Sequence, residues 1–337
     1  MCGIWQRFGT HRLAAKISHP DRIIRIDCLT KYKENLMSSN SYRGVFTIPS
    51  TPFLENGEID VASFQRMIDF CIECGSHGLV YPVNASEFTA LSDAERFKMS
   101  EVLVKQNAGR LPAIIGAAGV TQEVAALFAK HARDIGADGV IAMPPYVNHI
   151  SESLTFEYYQ TISDAARMPV FIQNNMPPIG SNLSAECLLK LCREIEYVEY
   201  IKEETLPSTV KLTAVIQGDD GSCKGVFGGA GGRYLIEEYR RGSAGQMPAS
   251  HVTDVVVALW DALEAGDEER STYIYKEMAP LFLFEHQLPG CYKEVLYRRG
   301  IIDCPLKRNG EMPLDEIASK YLDEILARLE PLMTWKK

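Results

Sequence analysis

The stretch Tyr197-Val198-Glu199-Tyr200-Ile201-Lys202 is short and mostly apolar, favours a β-strand, and ends in a lysine. Side chains alternate along a strand, so Tyr200 and Lys202 share one face. In a closed barrel of parallel strands, the inner face would end in this ammonium group at the rim where active sites form. Removal of water there favours the neutral amine, which can attack a ketone to form a Schiff base. The alternative is a lysine that extends from the strand end into solvent.

The same alternation of short apolar strands and amphipathic helices continues on both sides of this stretch. Eight strand–helix units follow one another from Tyr42 onward, at a spacing of roughly 25 to 35 residues. The predicted strands are residues 44–49, 78–83, 112–117, 138–143, 169–173, 197–202, 223–227 and 243–247. This rhythm predicts an α/β fold, a (β/α)8 TIM barrel. A doubly wound open sheet is the rival, but no G-x-G-x-x-G follows the first strand.

The chain divides into three predicted parts. Residues 42–266 form the barrel, and residues 267–337 contain further helices that we expect to pack on it. Basic residues outnumber acidic ones in residues 1–41, which is typical of an organelle-targeting segment. This segment lacks a clean amphipathic face, so a disordered extension or a start upstream of the native one is the preferred interpretation.

Composition excludes several classes of function. The 337 residues are 46% hydrophobic and 23% charged, with a net charge of −9, which argues against nucleic acid or an anionic membrane as partner. No apolar run approaches the ~18 residues of a membrane span. The 9 cysteines are odd in number and scattered, which favours reduced thiols and a cytoplasmic protein. Cys71 and Cys74 lack a second pair at zinc spacing, so we predict neither a metal nor a cofactor.

The loops that follow the strands carry the residues capable of chemistry. In a barrel these loops meet at one rim, so their side chains lie around a common site. In chain order they include Ser50-Thr51-Pro52-Phe53, Asn84-Ala85-Ser86-Glu87-Phe88, Pro145-Tyr146, Asn174-Asn175-Met176-Pro177, Lys202-Glu203-Glu204-Thr205 and Gly228-Gly229-Ala230-Gly231-Gly232-Arg233.

Taken together, these motifs resemble the dihydrodipicolinate synthase / N-acetylneuraminate lyase family of class I aldolases. The resemblance runs from about Tyr42 to about Arg299. Its carriers are the G-x-x-x-x-x-S-T-P-F of residues 44–53, the Glu87 loop, Pro145-Tyr146, the Asn-x-Pro of residues 175–177 and Ile201-Lys202-Glu203. The resemblance implies a homo-oligomer, either a dimer or a tetramer, that acts on a small 2-keto acid.

The resemblance also implies roles for individual residues. Lys202 matches the lysine that forms the Schiff base with the keto acid. The loop after strand 2 holds the carboxylate in the family, and here Asn84, Ala85 and Ser86 would supply the donors. Ordinary turn chemistry is the alternative for these polar residues. The remaining predicted substrate-binding residues are Thr51, Asn174, Gly228 and Arg233, the last as a clamp for a distal oxygen.

The chain departs from the family pattern where protons are transferred. The family's tyrosine before Asn-x-Pro is replaced by Asn174, which does not exchange a proton at neutral pH. Tyr146 and Tyr200 are the catalytic candidates to replace it, with His149 as a weaker one. Most large inward residues fill a barrel layer, which is the alternative for Tyr200.

These departures favour one branch of the family, which dehydrates 2-keto-3-deoxy sugar acids such as 2-keto-3-deoxy-L-arabonate. The leading hypothesis is therefore a Schiff-base lyase of the hydro-lyase class. A pyruvate-dependent aldolase and a non-catalytic protein that binds 2-keto acids are the alternatives. The Gly-rich loops after strands 7 and 8 leave open a barrel enzyme that handles phosphate.

Overall fold

The computed structural model describes residues 41–147, 150–176, 179–288, 291–308, 310 and 314–335. Residues 1–40, His149 and Pro177 lie outside this part of the chain, so the predictions made for them stay predictions. Within the described residues, no helix combines the length and apolarity needed to cross a bilayer.

Eight parallel strands close into a barrel in chain order, and the last strand pairs with the first. The strands are β1 Gly44–Thr47, β2 Gly78–Tyr81, β3 Ala113–Gly116, β4 Gly139–Ala142, β5 Val170–Asn174, β6 Val198–Glu203, β7 Gly225–Gly228 and β8 Gly245–Gln246. This confirms the (β/α)8 prediction. β8 is shorter than the predicted residues 243–247, and the Ser243 hydroxyl, just before it, exchanges hydrogen bonds with the backbone of Gly245.

Helices follow every strand and surround the barrel. They are α1 Val61–Glu73, α2 Asp93–Asn107, α3 Gln122–Asp134, α4 Glu152–Ala166, α5 Ala185–Glu194, α6 Ser208–Gly218, α7 Leu235–Arg240 and α8 Thr253–Glu264. Short polar side chains cap the N-termini of several helices. They accept hydrogen bonds from backbone N–H groups that have no partner inside the helix. Ser92 and Glu95 form the capping box that the sequence predicts at the start of α2.

The inner face of the barrel is a packed core below its C-terminal rim. Side chains from seven strands fill it, namely Phe46, Val80, Ile114, Ile141, Phe171, Tyr200 and Phe227. The Tyr200 ring stacks on Phe171 with 4.4 Å between centroids, and its hydroxyl accepts the Tyr42 backbone N–H at 3.2 Å. Tyr42 precedes β1, so this aromatic layer closes the N-terminal end. Only the C-terminal end of the interior is left for a site.

Three further helices pack against the barrel at α8, namely α9 Glu268–Gln287, α10 Tyr292–Arg298 and α11 Glu316–Leu329. Arg299, just after α10, forms a buried ion pair with Asp254 of α8, with 2.6 Å between Nη2 and Oδ2. The Asp254 carboxylate also accepts the Thr334 backbone N–H at 2.9 Å. One carboxylate therefore joins two parts of the C-terminal segment to the barrel. The exact domain boundaries stay predictions.

We expect Asp254→Asn to lower the free energy of unfolding by about 3–5 kcal/mol, because it leaves the Arg299 charge buried without its partner. Urea denaturation measures this change. Lys320→Ala removes an ion pair whose lysine side chain is 72% exposed, and we expect a change below about 0.5 kcal/mol. Equal losses in the two variants would contradict a special contribution of the buried pair.

Candidate active site

A cavity of about 380 Å³ lies at the C-terminal rim of the barrel. Residues from the loops after several strands line it, including Ser50, Asn84, Ala85, Asn175, Lys202 and Glu204. The C-terminal segment contributes Tyr292, Lys293 and Lys307 to the same wall. The cavity is thus formed jointly by the barrel and by residues far away in sequence.

Lys202 lies at the base of this cavity and is 2% exposed. Its Nζ lies 3.1 Å from Oε2 of Glu204. The strand alternation that turns Tyr200 inward also turns Lys202 and Glu204 inward. β6 ends at Glu203, between the two charged residues. A buried ammonium group is stable only with such a partner, because burial removes its water.

Three groups hold the Glu204 carboxylate in place. Gln173 of β5 donates its side-chain N–H to Oε2 at 2.8 Å, and the Ala230 backbone N–H donates to Oε1 at 3.4 Å. The Lys202 ammonium group is the third. Gly229 leaves room for this arrangement, since a Cβ there would lie 2.4 Å from Cγ of Glu204. Glu204 carries no role among the residues predicted from the sequence, although its spacing of two residues from Lys202 already indicates the same face.

The loop after β2 presents backbone donors to the cavity. It forms a 3-10 turn over Asn84–Ser86, which places the first N–H groups of the turn at its exposed end. Within the described residues, the backbone N–H groups of Asn84 and Ala85 donate to no protein acceptor. Asn84 Oδ1 is buried and also lacks a partner there. These groups could bind a carboxylate and a neighbouring hydroxyl of a ligand.

Two predicted binding residues support this loop and do not line the cavity. The Ser86 hydroxyl donates to the Pro49 carbonyl at 2.7 Å, and the Thr51 hydroxyl donates to the Ser86 carbonyl at 2.6 Å. Both side chains are buried and satisfied within the protein. The structure therefore gives Ser86 and Thr51 contacts that position the loop, and their direct contact with substrate stays a prediction.

Glu87 joins the same loop to the C-terminal segment. Its carboxylate forms an ion pair with Lys293 and accepts the Arg308 backbone N–H at 3.3 Å. Burial lowers the pKa of Lys293 to about 8, against the opposing effect of Glu87. The lysine also lies over the Phe53 ring, 4.0 Å from its centroid. No local pattern in the sequence indicated that Lys293 reaches the site.

Asn174 and Gly228 face outward from the barrel, away from the cavity. Asn174 donates to Glu203 at 2.8 Å and exchanges two further hydrogen bonds with the Leu183 backbone. Burial raises the pKa of Glu203, even though Asn174 and Thr205 donate to its carboxylate. A Cβ at Gly228 would lie 1.9 Å from Oε2 of Glu238, outside the barrel wall. The structure therefore gives Asn174 and Gly228 contacts within the barrel wall, and their predicted contact with substrate stays a prediction.

The proton-transfer candidates Tyr146 and Tyr200 do not line the cavity. Tyr200 points inward but belongs to the aromatic layer at the closed end of the barrel, as in the packing alternative considered for it. Tyr146 packs edge-on against Phe88 with 5.3 Å between centroids, and burial raises its pKa. Arg233 does not line the cavity either, because its guanidinium group donates to the Phe282 carbonyl at 3.2 Å. The structure thus places all three residues outside the described lining of the cavity, and their predicted roles stay predictions.

The charges that line the cavity favour an anionic ligand. Lys202, Lys293 and Lys307 outnumber Glu87 and Glu204 there, whereas the whole chain carries a charge of −9. A cationic cavity in an acidic protein concentrates anions at that position. Together with the free N–H groups of the β2 loop, this arrangement suits a carboxylate bound next to an amine nucleophile.

Comparison with known proteins gives consistent results. The profile of the Dihydrodipicolinate synthetase family matches residues 41–330. An L-2-keto-3-deoxyarabonate dehydratase from Azospirillum brasilense is 32% identical over 304 residues, covering 88% of this chain and 97% of that protein. A 4-hydroxy-tetrahydrodipicolinate synthase from Methanosphaerula palustris is 29% identical, covering 85% and 99%. The crystal structure of dihydrodipicolinate synthase from Rhodopseudomonas palustris matches with a TM-score of 0.78 and 26% identity, covering 85% and 97%.

Glu238 of α7 lies behind the site and should make stability depend on pH. It is 1% exposed, and it accepts hydrogen bonds from Ser208 at 3.3 Å and from Gln246 at 3.1 Å. Burial raises its pKa from 4.5 to about 8. Between these two values the unfolded chain ionises at this residue while the folded protein holds the proton. Stability from this group is therefore complete below pH 4.5 and is lost as the pH rises through 8.

We expect Glu238→Gln to remove this loss, since the amide stays neutral at every pH. The wild type should lose on the order of a few kcal/mol of unfolding free energy relative to the variant between pH 5 and 9. Urea denaturation of both proteins at several pH values measures the difference. Parallel stability curves for the two proteins would contradict the raised pKa of Glu238.

Proposed function

The chain belongs to the dihydrodipicolinate synthetase family and is a lyase of that family, and from this premise we propose that it removes water from a 2-keto-3-deoxy sugar acid. The substrate would bind as a Schiff base on Lys202. The observation that carries the proposal is the buried Lys202 beside Glu204, 3.1 Å apart in a cationic cavity. The similarity to an L-2-keto-3-deoxyarabonate dehydratase supports the choice of reaction.

Substrate binding follows from the donors in the cavity. The carboxylate of the keto acid would accept hydrogen bonds from the backbone N–H groups of Asn84 and Ala85, which have no acceptor among the described residues. The adjacent C2 carbonyl would then face Lys202, and the polyol tail would extend toward the wall formed by the C-terminal segment. Binding through the carboxylate holds the carbonyl and amine together, which lowers the entropic cost of their reaction.

The chemistry uses the amine and the carboxylate in sequence. Glu204 first accepts a proton from the Lys202 ammonium group, and the neutral amine attacks C2. Glu204 returns that proton to the carbonyl oxygen, which leaves as water, so that an iminium ion and the Glu204 carboxylate remain. The iminium acidifies the C3–H bond, and Glu204 accepts this proton to give an enamine. The enamine electrons form the C3–C4 double bond as the C4–O bond breaks, and the hydroxyl leaves as water. Hydrolysis of the imine then releases the product, which tautomerises to a 2,5-dioxo acid.

Water loss fits the site better than cleavage of the C3–C4 bond. Retro-aldol cleavage requires a base that removes the proton of the C4 hydroxyl. In this family the tyrosine before Asn-x-Pro would serve that purpose, but Asn174 stands there and is turned toward Glu203. Glu204 lies beside the amine that becomes the iminium, which suits removal of the neighbouring C3 proton.

Assembly into a homo-oligomer stays a prediction, as does a cytoplasmic location. Leu283 of α9 and Ile317 and Tyr321 of α11 are exposed large apolar residues on the C-terminal helices. An interface between copies of the chain would remove this apolar surface from water. These side chains therefore support the proposed assembly through the C-terminal helices.

Schiff-base formation is tested by borohydride reduction in the presence of pyruvate or a 2-keto-3-deoxy acid. We expect one covalent adduct on Lys202, located by mass spectrometry of peptides, because reduction converts the imine into a stable amine. Lys202→Met should abolish the adduct. Lys224→Met is the matched control, since Lys224 pairs with Glu199 outside the cavity. An adduct that persists in Lys202→Met would exclude the proposed nucleophile.

The role of Glu204 is tested by Glu204→Gln. We expect turnover of the sugar acid to fall by about 10²–10⁴-fold, the usual effect of losing a general base, while borohydride still traps the imine. Glu199→Gln is the matched control on β6, the strand that Glu204 directly follows, because Glu199 pairs with Lys224 and does not line the cavity. A small loss in Glu204→Gln, similar to that of the control, would assign proton removal to another group.

A further inference from the structure

The proposed dehydration needs an acid as well as a base. Hydroxide is a poor leaving group, so the C4 oxygen has to receive a proton as its bond to carbon breaks. Glu204 takes the proton from C3 and enters the next step protonated, but it lies beside the imine nitrogen and not at the distal end of the substrate. Of the groups that the sequence suggested for proton transfer, Tyr146 and Tyr200 are absent from the described lining of the cavity, and His149 lies outside the described residues.

Tyr292 lies in the wall of the cavity and carries a phenol that can donate a proton. It is the first residue of α10, and among the described residues it is the tyrosine that lines the cavity with Lys202 and Glu204. It belongs to the C-terminal segment, so a different element from the strand that carries the amine brings it to the cavity. Its hydroxyl is close enough to Glu204 for the two groups to interact electrostatically, and Arg233 also lies near it.

A buried pair behind Tyr292 holds its ring in one orientation. The ring packs on His251, with 4.9 Å between centroids and 33° between the planes. His251 Nε2 lies 2.5 Å from Oε1 of Glu285, and both side chains are almost fully buried. Glu285 reaches the cavity wall, because a Cβ at Gly231 would lie 3.2 Å from its Oε2.

We propose that Tyr292 donates its phenolic proton to the C4 hydroxyl of the substrate as the C4–O bond breaks. The inference rests on the proposed function and names the acid for that reaction. The electron pair of the C4–O bond leaves with the oxygen, which takes the proton from Tyr292 and departs as water. The proton that Glu204 removed from C3 then restores the phenol, so each cycle removes one water molecule and leaves the enzyme unchanged.

The surroundings of Tyr292 keep its phenol in the protonated form that can donate. Burial raises the pKa of Tyr292, and the charge of Glu285 adds to the effect, so the phenol stays protonated across the neutral pH range. A donor for hydroxide need not be strongly acidic, because hydroxide binds a proton more tightly than a phenolate does. The nearby Arg233 would stabilise the short-lived phenolate.

The test compares two substrates with Tyr292→Phe. One is the 2-keto-3-deoxy acid, and the other is the same acid with fluorine in place of the C4 hydroxyl, which leaves as fluoride with little help from an acid. We expect the variant to lose water about 10²–10⁴-fold more slowly, whereas fluoride release should change by less than about tenfold. Exchange of the C3 proton with D2O, followed by NMR, should persist because it precedes the step that needs the acid.

Two controls make the outcome decisive. Tyr297→Phe changes an exposed tyrosine of the same helix, and it should dehydrate like the wild type. Borohydride trapping of Lys202 in Tyr292→Phe verifies that the variant keeps a folded site. Equal slowing of both substrates, or no slowing of either, overturns the role of Tyr292. Failure of the proposed function is distinguishable, because the wild type itself would then release pyruvate or turn over no sugar acid.

Discussion

The ion pair between Lys202 and Glu204 is the interaction on which the rest of the site depends. Both charges are buried at the rim of the barrel, and each compensates for the water that the other has lost. Gln173 of β5 and the Ala230 N–H of the loop after β7 hold the carboxylate from two sides of β6. The amine is therefore kept in a dry position beside a proton acceptor before any substrate arrives, which is the preorganisation that Schiff-base chemistry requires.

The geometry of strand β6 places the proposed nucleophile and the structural residues in different layers or on different faces of the barrel. Along β6, Tyr200 and Lys202 point inward, but they lie one layer apart, so the tyrosine closes the barrel while the lysine faces the cavity. Glu203 points outward and is bound by Asn174. A shift of one residue would exchange these faces and bury the amine among the helices. The position of the nucleophile is thus a consequence of strand register.

The C-terminal segment completes the cavity and also holds the fold together. Lys293 pairs with Glu87 of the β2 loop, and Arg299, six residues later, pairs with Asp254 of the last barrel helix. The loop that presents donors for a carboxylate is therefore tied to the same short helix that brings Tyr292 to the wall. Stability and substrate binding depend on common contacts here, so changes in this helix affect both.

The sequence alone determined the eight-stranded barrel and the family, and it placed Lys202 at the end of its strand. It could do so because the periodicity of apolar residues and the spacing of motifs are local properties. It also indicated Asn84 and Ala85, which lie in a loop of recognisable position. Only the tertiary structure showed that Asn174 and Gly228 face the helices. It likewise brought Tyr292 and Lys293 to a cavity whose nucleophile lies far away in the chain. Contacts between distant segments depend on how helices pack, and no local pattern encodes that packing.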